Sequence, residues 1–194
     1  MTDRTVSMLL VCCLLLAAGC SRSPRTHFYT LTALAPAAAT VPQRQTPSLA
    51  VDPVTLPEFV DRPQLVMVGG DNRVDILEMR QWAESLKSAI PRILADNLSR
   101  QLGLDRVAAY PQHAGSDADY HLAVDFQRFE ATAGSVGLDA IWTLRPTGST
   151  PLAGRSRVHE AHGGGYDSIA AAYSRALATV SGEIARALPQ ELRQ

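Results

Sequence analysis

The sequence predicts an α/β (α+β) domain, a two-layer sandwich in which a mixed, mostly antiparallel sheet carries two amphipathic helices on one face. Three patterns predict it. Tyr120, Leu122, Val124 and Phe126 alternate with His121, Ala123 and Asp125, and Val136, Leu138, Ala140, Trp142 and Leu144 repeat the alternation; this is the period of a strand with one buried face. Leu86, Ile90, Ile93, Leu94, Asn97, Leu98 and Leu102 recur at helical spacing, as do Ile169, Ala172, Tyr173, Ala176, Leu177, Val180, Ile184 and Leu188. Two apolar runs, Gln64 to Val68 and Arg73 to Leu77, flank Gly69-Gly70-Asp71-Asn72, residues that tolerate positive φ, and so predict a hairpin. A sheet and helices that each have one apolar side bury those sides against one another.

The elements follow in order. Arg4 and the apolar stretch Val6 to Ala18, broken only by Ser7, read as a signal peptide, since a membrane-crossing helix needs ~20 apolar residues. Ala17-Ala18-Gly19-Cys20 resembles a lipobox, although Leu is commoner than Ala at the position of Ala17. Residues 1–19 are therefore expected to be removed as a lipoprotein signal peptide, leaving Cys20 as a lipidated amino terminus. Residues 20–26 are expected to tether a single periplasmic domain over 27–190. Phe28-Tyr29-Thr30-Leu31 begins it as a short strand. Leu34 to Pro47, rich in Ala, Pro, Gln and Thr and without periodicity, reads as a linker or long loop.

Ser48 to Val54 is a second strand, with Leu49 and Val51 on the face opposite Ala50 and Asp52 until Pro53 ends pairing. After the hairpin, Ser85 or Ser88 caps the first helix and Gly103 stops it. Pro91 suits its first turn if Ser88 is the cap and otherwise predicts a kink. Arg106 to Tyr110 is a short strand. The alternating segments from Tyr120 and Val136 should pair antiparallel, with Arg155 to His162 as a third member. Asp167 is the expected cap of the last helix, after Gly163-Gly164-Gly165.

Composition narrows the function. With 18 Lys and Arg against 19 Asp and Glu and no basic run, the chain lacks the clustered cations that phosphate backbones require, so no nucleic-acid partner is expected. Cys12 and Cys13 fall in the discarded segment, which leaves Cys20 as the single mature thiol and rules out an intramolecular disulfide. Ser21 follows it where Asp would direct retention in the inner membrane of a typical Gram-negative cell, so the expected place is the outer membrane, periplasmic face. One acyl chain binds a bilayer weakly, and the three of a mature lipoprotein hold it at about 0.8 kcal/mol per buried methylene.

Patterns with catalytic or ligating potential have plainer readings. His159-Glu160-Ala161-His162 has the wrong spacing for a helical zinc site, and on a strand residues three apart point to opposite faces. Gly163-Gly164-Gly165 is not followed by the Lys-Ser/Thr pair of a phosphate loop. Trp82, Trp142, Phe126 and Phe129 read as core. There is no Gly-x-Ser-x-Gly elbow and no spaced carboxylate pair. No catalytic residue, metal or cofactor is expected.

Val51-Asp52-Pro53-Val54-Thr55-Leu56-Pro57-Glu58-Phe59-Val60-Asp61-Arg62-Pro63-Gln64-Leu65-Val66 resembles the signature of the PqiC (YmbA) family of ABC-transport auxiliary lipoproteins. The resemblance continues through Asn72, Glu78, Arg80-Gln81-Trp82-Ala83-Glu84 and Ile93-Leu94-Ala95-Asp96-Asn97-Leu98, with Phe28-Tyr29-Thr30-Leu31 upstream. Ser85 departs from it, standing where many members have Pro. Beyond Tyr110 only the strand-strand-strand-helix order matches. The prolines of the signature rigidify an extended segment, and an Asp61-Arg62 pair would fix its turn, so the signature also reads as fold. The resemblance implies a non-enzymatic subunit of an MCE/ABC-type system that moves phospholipid between membranes. Its partners would be an MCE-type periplasmic tunnel protein and an inner-membrane complex, with a homo-oligomer as a further possibility. The same tether and domain would equally serve an envelope assembly or scaffold lipoprotein without a transport role.

Overall fold

A computed structural model of the chain describes residues 24–34, 36, 47–70, 72–112, 115, 117–189 and 192. The signal peptide, Cys20, most of the loop from 34 to 47 and the end of the expected domain at 190 lie outside the described residues. Among the described residues, eight strands and two long helices follow in the order β1 (His27–Tyr29), β2 (Leu49–Val51), β3 (Gln64–Val68), β4 (Val74–Trp82), α1 (Leu86–Leu102), β5 (Val107–Ala109), β6 (Tyr120–Ala131), β7 (Ser135–Pro146), β8 (Leu152–Ala161) and α2 (Tyr166–Ala187). A 3-10 turn, Glu58–Val60, precedes β3.

The expected fold class holds. β6, β7 and β8 form an antiparallel meander, and β6 and β7 pair in the register that puts Leu122, Val124 and Phe126 opposite Leu144, Trp142 and Ala140. The other edge of β6 is shared. Leu49 to Val51 run parallel beside Tyr120 to Leu122, Thr55 makes a single bridge to Asp125, and Met67 pairs with Ala131 at the far end. The signature segment therefore tracks the length of β6, and Pro53, Pro57 and Pro63 interrupt its pairing because proline has no N–H to donate. From there the sheet forks, to β5 beyond β2, and to β4 and then β1 beyond β3.

Both helices cover the same face. α1 packs on β2 and β5, α2 packs on β7 and β8, and the two helices pack on each other. Their apolar stripes are the predicted ones, with Ile90, Leu94, Leu98, Ala172, Ala176, Leu177, Val180 and Ile184 buried. The four aromatics expected in the core are buried there. Trp82 meets Tyr173 edge-on at 5.7 Å, Phe129 stacks on Tyr173 at 4.5 Å, and Phe126 meets Phe129 edge-on at 5.6 Å. Burial pushes the Tyr173 hydroxyl pKa up, since its ionised form would sit in that apolar cluster.

Several local expectations are corrected. β2 does not alternate: Ala50 is buried like Leu49 and Val51, because Gly115 packs so close that a Cβ there would lie 3.2 Å from that of Ala50. β4 continues to Trp82, well past Leu77, with a bulge between its pairing to Leu65 and to Gln64. Of the two expected caps, it is Ser85 that stands at the start of α1, so Pro91 lies in the second turn and leaves the Lys87 carbonyl without its helical donor. Gly103, with φ of 65°, ends α1 as expected. Gly165, not Asp167, precedes α2; its φ of 82° is open to glycine alone at little cost, and Ser168 Oγ donates to the carbonyls of Gly164 and Gly165. Asp167 instead sits in the first turn, where its charge complements the helix dipole.

Candidate functional site

The one residue singled out for chemistry, Cys20, lies outside the described residues, so the site is read from the surfaces the fold presents around the strand that follows it. β1 is an edge strand paired in parallel with β4, His27 beside Arg80 and Tyr29 beside Trp82. Tyr29 turns its ring toward Tyr166 at the start of α2, and Arg80 lies 4.9 Å from the centre of the Tyr166 ring. Desolvation there raises the Tyr29 pKa, with Arg80 opposing. Phe28 alternates to the other face and is 64% exposed.

The face away from the helices carries a ladder of charges across β6, β7 and β8. Arg155 makes a two-pronged contact with Asp139, 2.7 Å to each oxygen, and Arg157 reaches the same carboxylate at 3.4 Å. These bonds hold the Asp139 carboxyl below the usual carboxylate range against partial desolvation. Arg128 lies across Gly137, where a Cβ would come within 3.3 Å of its guanidinium, and reaches Glu130 and His159 Nε2.

A cavity of about 240 Å³ opens where β2 and β5 end, lined by Asp52, Tyr110, Pro111, Gln112, Gly115 and His121. Asp52 stands 3.0 Å from His121 Nδ1 and 3.9 Å from Arg145. The Tyr110-Pro111 peptide bond beside it is cis. Below, Ser48 donates to Asp119 through its hydroxyl and its N–H, and these bonds lower the Asp119 pKa.

The sequence-level candidates separate in space. His159 meets Arg128 on the outer face, Glu160 accepts from Arg175 of α2, and His162 Nε2 lies 3.0 Å from the Thr132 carbonyl, so they share no centre. Among the described residues, no three His, Cys, Asp or Glu side chains come together as a metal site. Asp61 does not fix its turn through Arg62; it bonds Lys87 Nζ of α1 at 2.6 Å and joins the signature to the helix. Sequence reasoning did not bring out the Asp52, His121 and Arg145 group or the Asp139 ladder, whose members come from separate segments and meet only through strand register. Among the described residues no helix is long and apolar enough to cross a membrane.

Two solved structures share the fold. An uncharacterized protein is 23% identical with a TM-score of 0.68, over 84% of this chain and 98% of its own. Protein XCC0632 from Xanthomonas campestris, of the family DUF330, is 17% identical with a TM-score of 0.65, over 81% and 92%. A comparison with curated proteins finds no match. The model of the family described as "ABC-type transport auxiliary lipoprotein component" matches residues 29–185, from the last residue of β1 into the final turn of α2. With the signature threaded along β6 and the match spanning both layers of the sandwich, the chain belongs to the ABC-type transport auxiliary lipoprotein family.

Proposed function

We propose that this protein is a non-enzymatic lipoprotein held in the outer membrane by acylated Cys20, with its domain on the periplasmic face, where it serves an MCE/ABC-type system for moving phospholipid between membranes. The family match over 29–185, directly behind a lipobox-like Ala17-Ala18-Gly19-Cys20, carries this reading. The geometry agrees with a part that binds a partner. On the sheet, Asp139 is engaged by Arg155, and Asp52 by His121. Energy for transport would come from a separate ATPase chain, and the partner nearest to this domain would be an MCE-type tunnel protein.

The test is co-purification of the mature acylated protein from envelopes under mild detergent. An MCE-domain protein should be enriched with it. Recovery of none, while an established member of the family prepared alongside retains its own, would refute the transport assignment and leave an envelope scaffold.

A further inference from the structure

The outer face of the sheet is divided. Over β6, β7 and β8 it carries the charged ladder of Arg128, Asp139, Arg155 and Arg157 around a partly exposed Ile141, whereas over β1 and β4 large apolar side chains predominate, with Glu78 among them held by Gln64 at 3.1 Å. Phe28 is 64% exposed, Val74 and Ile76 are each 41% exposed, and Met79 is 38% exposed. Strand alternation sets Val74 and Ile76 away from the helices; beyond the bulge Met79 lies beside Thr26, whose hydroxyl is 3.8 Å from its sulfur. Four large apolar side chains thus form a strip from the first strand toward the β3–β4 turn, on a face no helix covers.

The direction of the chain says what covers it. Because β1 is parallel to β4, with His27 beside Arg80, the chain preceding β1 departs toward the Val74 end of β4. Cys20 precedes His27 by as many residues as Arg73 precedes Arg80. Fully extended, those seven residues span about 25 Å and reach no farther along β4 than the level of Arg73. An anchor on so short a lead keeps the β3–β4 turn and the apolar strip next to the surface that holds the acyl chains.

We propose that the strip formed by Phe28, Met79, Ile76 and Val74 rests on the phospholipid surface, a second, non-covalent contact that orients the domain with its charged β6–β8 face in water. This placement rests on the acylation of Cys20. Phe28 is the deepest member, since it is the most exposed and the nearest in sequence to the anchor. A lipid anchor alone leaves a domain free to tumble, and an apolar contact of this size restricts it.

Depth-dependent quenching tests the proposal. The mature acylated protein is reconstituted into phosphatidylethanolamine and phosphatidylglycerol vesicles with or without brominated acyl chains, as wild type and as Phe28→Trp, Ile76→Trp and Thr179→Trp. The native Trp82 and Trp142 are buried and provide a constant background. The indoles introduced by Phe28→Trp and Ile76→Trp should lose about half their emission to brominated lipid, while that at exposed Thr179 of α2 loses none. Equal quenching at all three sites overturns the proposal. So does shielding of the Phe28→Trp indole only when a periplasmic partner protein is added, or a blue shift that grows with protein concentration in lipid-free detergent. Flotation separates the two layers of the reading: a protein that fails to float with vesicles overturns the anchor and this placement together. One that floats without quenching overturns the placement alone.

Discussion

Gly154 faces Trp142 across the β7–β8 ladder, and a Cβ built there would lie 2.2 Å from the indole. The ring is buried, so it can yield only by displacing its neighbours. Gly154→Ala should therefore destabilise the fold by about 1–3 kcal/mol, seen as a Tm lower by roughly 2–4 °C per kcal/mol. An unchanged melt would show that the indole has room to move. Gly137 has a different use, since the space above it is filled by Arg128. Neither role was legible in the sequence, where an isolated glycine in a strand signals only a close approach and does not name what approaches.

At the scale of elements, the segment after β1 is held to the helix layer by a buried amide. Asn97, fully buried in α1, accepts the Leu34 N–H at 3.0 Å, and the Thr32 N–H donates to Ser174 Oγ in α2. One residue from each helix thus pins the strand-to-loop connection. Asn97→Ala should cost about 1–3 kcal/mol and speed amide exchange at Leu34, while exchange within β6 and β7 changes only by the global loss of stability. Equal acceleration everywhere would mean that the connection is not separately held. The sequence placed Asn97 on the apolar stripe of α1 but gave no sign of its partner, sixty-three residues earlier. β8 shows another element-scale choice: its ten residues end the sheet, and Arg155, Arg157 and His159 on its outer side discourage further strand addition.

For the molecule as a whole, acid sensitivity follows from two carboxyls. Asp139, bonded by Arg155, and Asp119, bonded by Ser48, both have pKa values below their unfolded values. Groups shifted down bind fewer protons folded than unfolded, so their contribution is complete above the ordinary carboxylate pKa of about 4 and fades as pH falls through the folded values. Asp139→Asn should lower Tm at neutral pH and flatten its decline below about pH 4. A decline as steep as in the wild type would place the acid sensitivity elsewhere. With Cys20 the only thiol outside the expected signal peptide, no intramolecular disulfide supports the mature fold against this loss.

What the sequence determined by itself was everything carried by local period and local chemistry. It set the two-layer class, the two helices, the β6–β7–β8 meander, the hairpin, the aromatic core and the family signature. Each of these is written in residues a few positions apart, whose alternation or stripe fixes which side meets the core. Only the tertiary structure decided that β2, Thr55 and β3 share one edge of β6, that Gly115 buries Ala50, that Asp61 reaches Lys87, and that β1 runs parallel to β4. These depend on pairings between distant segments, for which loop closure leaves many registers open until the whole core is packed. The parallel setting of β1 is the decision with the most consequence, because it gives the tether expected over residues 20–26 a direction on the molecule.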